Sequence, residues 1–580
     1  MVDRLELPSA WGAVLATLGQ GPDLAWEPSE LARLVQDRAA RQRLFAAALQ
    51  VRLAESMGHT RLDVTGERVP QWLASFGPLL EGDQLLKESA LQGFVADPSG
   101  LAPIVAGPGW LATGRAWTHE QALAAQILHR LDSAPPLIIP DGALDSPMVL
   151  NAEQRAAVQL AAGSKLAIIT GGPGTGKSAI VAALLKGTQG LKVAVAAPTG
   201  KAAQRLGESL RGIATPSTLH RLLGWRPGPA QWRHHAANPL EADLVVVDEA
   251  SMVDQELMLH LLNALHPEAR LILLGDADQL PSVGSGAVLR DLVERLPSIT
   301  AKLHHSYRMD AADPGGQAIL AYAARMREGR SEVRDLSPGT SEEVLHGQGV
   351  AIVPRTELGT LLVQWRERIM ALPDYEALIH REYHATVDGF DEEDAAAIRH
   401  LLEHHERFRL LALLQEGPEG VDALNEALHR LAWSLNGRGL QRELPFYLGE
   451  PVMMKRNDQG RDLFNGETGL ALKVRREKTL HREAVFPGVN GPRAFPVATL
   501  GSDLTLAYAL TVHKSQGSEF DTVGVVLPRT DHPLLTRQNL YTALTRARRS
   551  VFFVGDPSLP VLASQREERR STGLGELLSC

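Results

Sequence analysis

Residues 168–178 read IITGGPGTGKS. Gly171, Gly176, Lys177 and Ser178 stand at the fixed positions of the phosphate-loop pattern G-x-x-x-x-G-K-[ST], with Gly172, Pro173, Gly174 and Thr175 between them. The flanks agree with the motif. Lys165 to Thr170 is a short apolar, partly β-branched run that predicts a buried strand, and Ser178 to Lys186 predicts a helix with an apolar face. A strand, a glycine loop and a helix start are what phosphate binding requires. The glycines let backbone N–H groups turn inward around phosphate oxygens, and the helix N-terminus adds positive potential. Lys177 is placed to reach the β- and γ-phosphates, and the Ser178 hydroxyl to hold Mg²⁺. The loop alone implies a nucleoside triphosphate and leaves its purpose open.

Further polar positions follow at strand ends. Asp243 to Asp248 is a strongly apolar run ending in the acidic pair Asp248 and Glu249. After a phosphate loop, such a pair supplies a Mg²⁺-holding carboxylate (Asp248) and a group that orients or deprotonates the attacking water (Glu249). Leu271 to Gly275 is another strand, followed by Asp276, Ala277, Asp278, Gln279, Leu280 and Pro281, and a polar residue there can sense the γ-phosphate. Tyr307 and Arg308 then offer a ring and a fixed positive charge. Upstream, Gln154 can act as donor and acceptor toward an adenine edge, or simply start a helix.

Composition narrows the class. The 580 residues suffice for three or four domains, and no run approaches the roughly 18 apolar residues of a membrane span. The acid-bearing start, MVDRLELPSAW, argues against a secretion signal. The single cysteine, Cys580, allows no internal disulfide and suits a reducing cytoplasm. A net charge of −9 excludes a general nucleic-acid coat, so any such contact must use a local track. One candidate exists. Between Thr199 and His235 six Lys or Arg face one acid, Glu208, with Trp225 and Trp232 interleaved. Basic groups beside aromatics suit single-stranded nucleic acid, whereas a solvated loop face with two core tryptophans is the plainer alternative.

Elsewhere the chain is less explicit. Arg41 to Ser56 has helical periodicity, with Gly58 as its stop. Trp11, Trp26, Trp72, Trp110 and Trp117 are expected to pack a modest N-terminal core, and Trp110 to Leu131 to be helical. The Pro- and Gly-rich stretch 133–145 predicts a domain boundary. Gly349 to Pro354 suggests a strand. His400, His404 and His405 lie in an acidic stretch that is expected to be a solvated helix rather than a metal site, because no third ligand is framed nearby. Phe408 to Leu414 is expected to begin a second α/β unit. Val452 to Gly469 reads as turn-rich, and the alternating run from there to about residue 503 as a small β insertion. Asn539 to Arg549 predicts an arginine-bearing helix, and Arg566 to Cys580 a frayed tail.

Taken together the segments LNAEQ (150–154), GGPGTGKS (171–178), APTGKAAQRL (197–206), STLHRLLG (217–224), VVVDEASMVD (245–254), LLGDADQLPSVGSGAVL (273–289), SYR (306–308), LTVHKSQGSEFD (510–521) and LYTALTRAR (540–548) resemble the superfamily 1 DNA helicases. Within that superfamily they are most similar to the RecD group, alpha subunits of exodeoxyribonuclease V. The matching segments keep the family's order over about two-thirds of the chain. The resemblance implies an α/β fold: two RecA-like phosphate-loop domains with parallel sheets, a small β insertion in the second near 456–508, and a mostly helical N-terminal domain. The implied divisions are 1–135 for partner docking, 136–335 for the first lobe and 336–580 for the second.

The same resemblance implies ATP and Mg²⁺ between the lobes, with catalytic roles for Lys177, Asp248, Glu249, Gln279, Arg308 and Arg546, and Tyr307 stacked on adenine. Thr199, His220, His513 and Lys514 look like DNA-backbone contacts. Residues 222–240, with Trp225 and Trp232, look like a strand-separating pin insert. The family moves 5′ to 3′ on single strands. No acidic nuclease cluster stands out, so cleavage would belong to a partner. The implied partners are DNA, single-stranded and at duplex ends, and RecB-like and RecC-like subunits in a heterotrimer in a bacterial cytoplasm. The N-terminal segment 52–64 matches the partner-joining domain, and no helix–hairpin–helix repeats precede it. A solitary RecD-like helicase is the alternative. A structural subunit with an idle ATPase is disfavoured, because no catalytic position is degraded.

Overall fold

A computed structural model describes residues 8–18, 20–66, 69–76, 82–131, 137, 150–188, 190–226, 232–307, 313–387, 389–436, 445–458, 460–488 and 491–579. Arg308, the tip of the 222–240 insert and nearly all of the 133–145 stretch lie outside the described residues.

The first lobe is built on a six-stranded parallel sheet. Its spatial order is Thr300–Leu303, Leu166–Gly171, Arg270–Gly275, Leu244–Val247, Val193–Ala197 and Ser217–Thr218. The central strands are buried along their whole length and mostly apolar, because helices cover both faces. The phosphate loop, the acidic pair and Gln279 all follow the carboxyl ends of these strands. Ligands of open parallel sheets bind at that edge.

The second lobe repeats the plan. Ser337–Pro338, Gly349–Val353, Ala547–Val554, Phe520–Val526, Phe408–Ala412 and Ala509–Thr511 form a second parallel six-stranded sheet. It therefore opens at residue 337, and Phe408–Ala412 is an inner strand rather than its beginning. A third sheet of seven strands stands beside it. It draws in Glu382–Thr386 and Gly389–Phe390 besides Pro451–Met454, Thr468–Arg476, Thr479–Phe486, Arg493–Pro496 and Leu504–Leu506. The region read as turn-rich is thus bounded by strands, Pro451–Met454 and Thr468–Arg476, which pair antiparallel.

The N-terminal region is helical with a small sheet. Its longest helix, Arg38–Ser56, starts at Asp37, whose carboxylate accepts from the Ala40 N–H at 2.7 Å, and it stops before Gly58 at φ +89°. Trp110–Thr113 is a strand of the four-stranded sheet, and the helix begins only at Gly114, after Thr113 caps it. Four of the five tryptophans pack inward, but Trp26 is 67% exposed. The helix Gly114–His129 sends Leu123, Ala124 and Ile127 into the core of the first lobe.

Three further expectations are corrected. The helix expected over 539–549 ends at Leu544, and the arginines fall in the following turn and strand. The His-rich helix, Glu392–His405, is solvated on one face only. His404 and His405 are buried, with Nε2 atoms 2.7 Å from the Ile369 carbonyl and 2.8 Å from the Tyr375 hydroxyl. The tail is packed, not frayed. Leu574 and Leu578 join the first-lobe core, and residues 570–576 bond to both the first lobe and the N-terminal region.

Candidate nucleotide cleft and nucleic-acid track

The phosphate loop takes the shape its glycines permit. Gly174 (φ +73°) and Gly176 (φ +82°) are left-handed, and Gly176 passes directly into the helix Lys177–Gly187. Thr175 is buried, and its hydroxyl donates to the Gly172 carbonyl at 2.9 Å. The Lys177 Nζ folds back on the carbonyls of Gly171 and Gly172, at 2.6 and 3.1 Å.

Gln154 resolves as a brace for this loop. Asn151 and Gln154 form a reciprocal capping box, and the Gln154 Nε2 donates to the Thr175 carbonyl at 3.0 Å. Both polar ends of the side chain are engaged, which is the helix-start reading.

Asp248 and Glu249 leave the strand Leu244–Val247 together. Glu249 sits at φ +53°, a left-handed backbone costly for a residue with a side chain. Burial, and then the neighbouring Glu249 charge, raise the Asp248 carboxyl well above the usual range, against the pull of Lys177. A hard oxygen set of one hydroxyl (Ser178) and one carboxylate (Asp248), with room for phosphate oxygens, fits Mg²⁺. Among the described residues no group of three or more His, Cys, Asp or Glu side chains is arranged to hold a metal ion.

The second lobe closes the cleft. The Arg546 guanidinium is buried and donates to the Gln279 Oε1 at 2.9 Å, to the Thr542 carbonyl at 3.2 Å and to the Ser518 carbonyl at 3.3 Å. The Leu280 N–H donates to the Thr542 hydroxyl at 2.9 Å. Pro173, Gly174, Thr175, Gly176, Lys177, Ser178, Asp248, Glu249, Gln279, Tyr307 and Arg546 line one cavity of about 340 Å³. That is the lower end of the volume range of small-ligand sites. Tyr307 is half exposed at its mouth and tied to the loop, its N–H donating to the Gly174 carbonyl at 2.7 Å.

Two features escaped the sequence reading. Asp276 is buried beneath Gln279 and accepts from the Gln279 Nε2 and from the Tyr541 hydroxyl, both at 3.1 Å. Burial pushes its carboxyl up to about 6. The acid at the end of strand Arg270–Gly275 was the available signal. Arg205 also lines the cleft and pairs with Glu519 of the second lobe.

The expected DNA contacts gather less tightly. Thr199 caps the helix Gly200–Leu210. Its neighbour Lys201 reaches across to Glu406 at 3.1 Å. Trp225 and Trp232 are half buried and pair as antiparallel neighbours at the base of the insert. The Trp232 ring lies 5.6 Å from that of His220 and 4.6 Å from that of His260. His220 feels the charge of Asp254, whereas His513 lies beside Arg570. Burial and then Arg570 push the His513 ring down to about 4, which leaves the imidazole neutral near pH 7. A second cavity of about 720 Å³ is lined by Lys201, Arg205 and Arg221 of the first lobe, by Phe464 in the loop between strands Pro451–Met454 and Thr468–Arg476, and by Arg493 of the third sheet. Thr199, His220, His513 and Lys514 do not line it; their neighbours Gly200, Arg221 and Gly517 do.

Comparison with known proteins decides the family. Residues 149–346 match the family described as AAA domain, and residues 506–554 the UvrD-like helicase C-terminal domain. The RecBCD enzyme subunit RecD of Mycobacterium tuberculosis is 37% identical over 490 residues, covering 79% of this chain and 78% of the relative. The chain belongs to the RecD family, ATP-dependent DNA helicases of superfamily 1. Another member, the ATP-dependent RecD2 DNA helicase of Deinococcus radiodurans, is 36% identical over 74% of this chain and 52% of its own length. The solved Pif1 helicase of Candida albicans overlays at a TM-score of 0.40 and 17% identity, covering 73% of this chain and 98% of that one. Among the described residues no helix is long and apolar enough to cross a membrane.

Proposed function

We propose that this RecD-family chain is the 5′–3′ helicase subunit of a RecBCD-type assembly, working with RecB-like and RecC-like partners on broken DNA in a bacterial cytoplasm. The observation that carries the motor reading is the Gln279–Arg546 contact, which joins the two lobes inside the phosphate-loop cavity. Lys177 takes the β- and γ-phosphates once nucleotide draws its Nζ from the loop carbonyls. Ser178 and Asp248 would hold Mg²⁺, which supplies charge to the phosphate oxygens. Glu249 orients the attacking water and takes its proton. Arg546, with Arg308, neutralises charge on the transferring group, and does so only when the lobes close. Hydrolysis and lobe movement are thereby coupled. Tyr307 stacks on the base. Thr199, His220, His513 and Lys514 hold the DNA backbone, and the Trp225–Trp232 base supports the pin.

The subunit reading is supported by the likeness to a RecBCD subunit over 78% of that relative's length, and by two exposed apolar side chains, Trp26 (67%) and Leu34 (68%), in the N-terminal region. The likeness to a RecD2 DNA helicase favours the solitary alternative. Affinity purification of the tagged full-length chain from its native host separates the two. Co-elution of two large stoichiometric partners is expected. A chain that elutes alone and unwinds 5′-tailed duplexes by itself establishes the solitary helicase.

A further inference from the structure

The C-terminal segment holds a loop of the first lobe from behind. Arg570 is buried, with 6% of its side chain exposed. Its Nη1 donates to the carbonyls of Gly284 (2.6 Å) and Gly286 (2.8 Å), and its Nη2 to that of Ser282 (2.7 Å). Three backbone acceptors within five residues use the planar fork of a guanidinium; an ammonium could not span them. The loop so held begins at Gln279 and Leu280, which contact Arg546 and Thr542 across the cleft. A further clamp comes from the second lobe, where the Gln516 Nε2 donates to the Leu280 carbonyl at 3.2 Å.

The segment that carries Arg570 is itself anchored to the N-terminal region. The Ser571 carbonyl accepts from the N–H groups of Thr60 and Arg61, at 3.0 and 3.3 Å. The Ser571 N–H donates to the His59 Nδ1 at 2.9 Å, and the Gly573 N–H to the Glu120 Oε1 at 2.8 Å. Arg61 grips Glu576 through two bonds of 2.7 and 2.8 Å. The Arg570 charge also acts on Asp254 and on His513, and the Asp254 charge acts on His220. The loop that Arg570 holds thus has Gln279 at its nucleotide end and, at Gly284, the Asp254 carboxylate packed against it.

We infer that Arg570 is a positioning residue that fixes the loop 280–286 between the nucleotide cleft and the DNA track, so that DNA binding sets the position of Gln279. The inference rests on the DNA contacts proposed above, and it assigns to the last residues of the chain a part in coupling rather than in fold closure alone. Arg570→Lys keeps the charge and one carbonyl contact; Arg570→Ala removes all three.

The test measures turnover with and without single-stranded DNA, the affinity for a fluorescent ATP analogue, and thermal melting, in the full-length chain with any partners that co-purify. In both variants analogue affinity and DNA-free turnover are expected to stay within about twofold of wild type, while stimulation by DNA falls at least about tenfold. Adding guanidinium ion at millimolar concentration should partly restore stimulation in Arg570→Ala and not in Arg570→Lys. Stimulation equal to wild type in Arg570→Lys overturns the inference. So does a parallel loss of analogue affinity and stimulation, or failure of both variants to fold, since either assigns Arg570 to stability alone. Should wild type itself show no DNA stimulation, the helicase site reading fails first, and the two failures are told apart.

Discussion

Asp276→Asn separates the chemical role of a buried carboxylate from its effect on stability. Asp276 is 2% exposed, and burial raises its pKa from 3.8 to about 6 against the opposing charge of Lys177; Asp278 adds to the rise. A carboxylate whose folded-state pKa lies above its unfolded value binds its proton more tightly in the fold. Its contribution to stability is complete below about pH 4 and is lost as pH rises through 6. The full loss is about 3 kcal/mol, of which roughly half falls between pH 5 and pH 7.5. Asparagine has the same shape and no such dependence. Urea unfolding of the two proteins, followed by tryptophan fluorescence, should show the variant gaining on the order of 1–2 kcal/mol on wild type between those two pH values. The gain is measured as a difference, so any constant loss of hydrogen bonding to Gln279 and Tyr541 cancels. ATP turnover should fall at the same time, because the Gln279 side chain loses a charged acceptor. Stability differences that stay constant from pH 5 to 7.5 would refute the reasoning, since Asp276 would then be ionised in the fold throughout.

Other outcomes follow from the cleft and the surfaces around it. Lys177→Ala and Glu249→Gln should each lower DNA-stimulated ATP turnover at least about 100-fold, with Glu249→Gln retaining nucleotide binding; rates near wild type in a steady-state assay would remove both from the site. Deleting residues 228–231 at the insert tip should abolish unwinding of a forked duplex while single-strand-stimulated turnover survives, because the cleft is untouched; normal unwinding, or loss of both activities, counts against a pin. Removing residues 1–130 is the wrong probe of docking, since it would strip Leu123, Ala124 and Ile127 from the first-lobe core. The surface pair Trp26→Asp/Leu34→Asp should instead release the chain from its partners in a pull-down with melting unchanged, and recovery of both partners would place docking elsewhere.

What could be read from the sequence follows the range of each contact. A phosphate needs donors from neighbouring residues, so the nucleotide loop is written in eight consecutive positions, and its strand and helix flanks follow from local periodicity. Several inner strands were legible as short apolar runs, among them 165–170, 192–197, 243–248 and 271–275, whereas their assembly into two parallel sheets was implied by the resemblance alone. Long-range partners leave no such trace. The Tyr541 hydroxyl meets Asp276 across 265 positions, and neither residue is unusual in its own segment. Gln154 shows the opposite case: a helix start and an adenine reader call for the same residue, and the bonds to Asn151 and Thr175 are those of a helix start. The tail was opaque for a further reason. Arg566 to Arg570 is a run of charge that composition alone assigns to solvent, yet Arg570 finds its acceptors in backbone carbonyls more than 280 positions away. Carbonyls carry no side-chain signature, so a residue that recognises them cannot be paired by pattern. A basic terminal segment followed by a short apolar stretch, here Leu574 to Leu578, is therefore better treated as a strap awaiting its groove than as a frayed end.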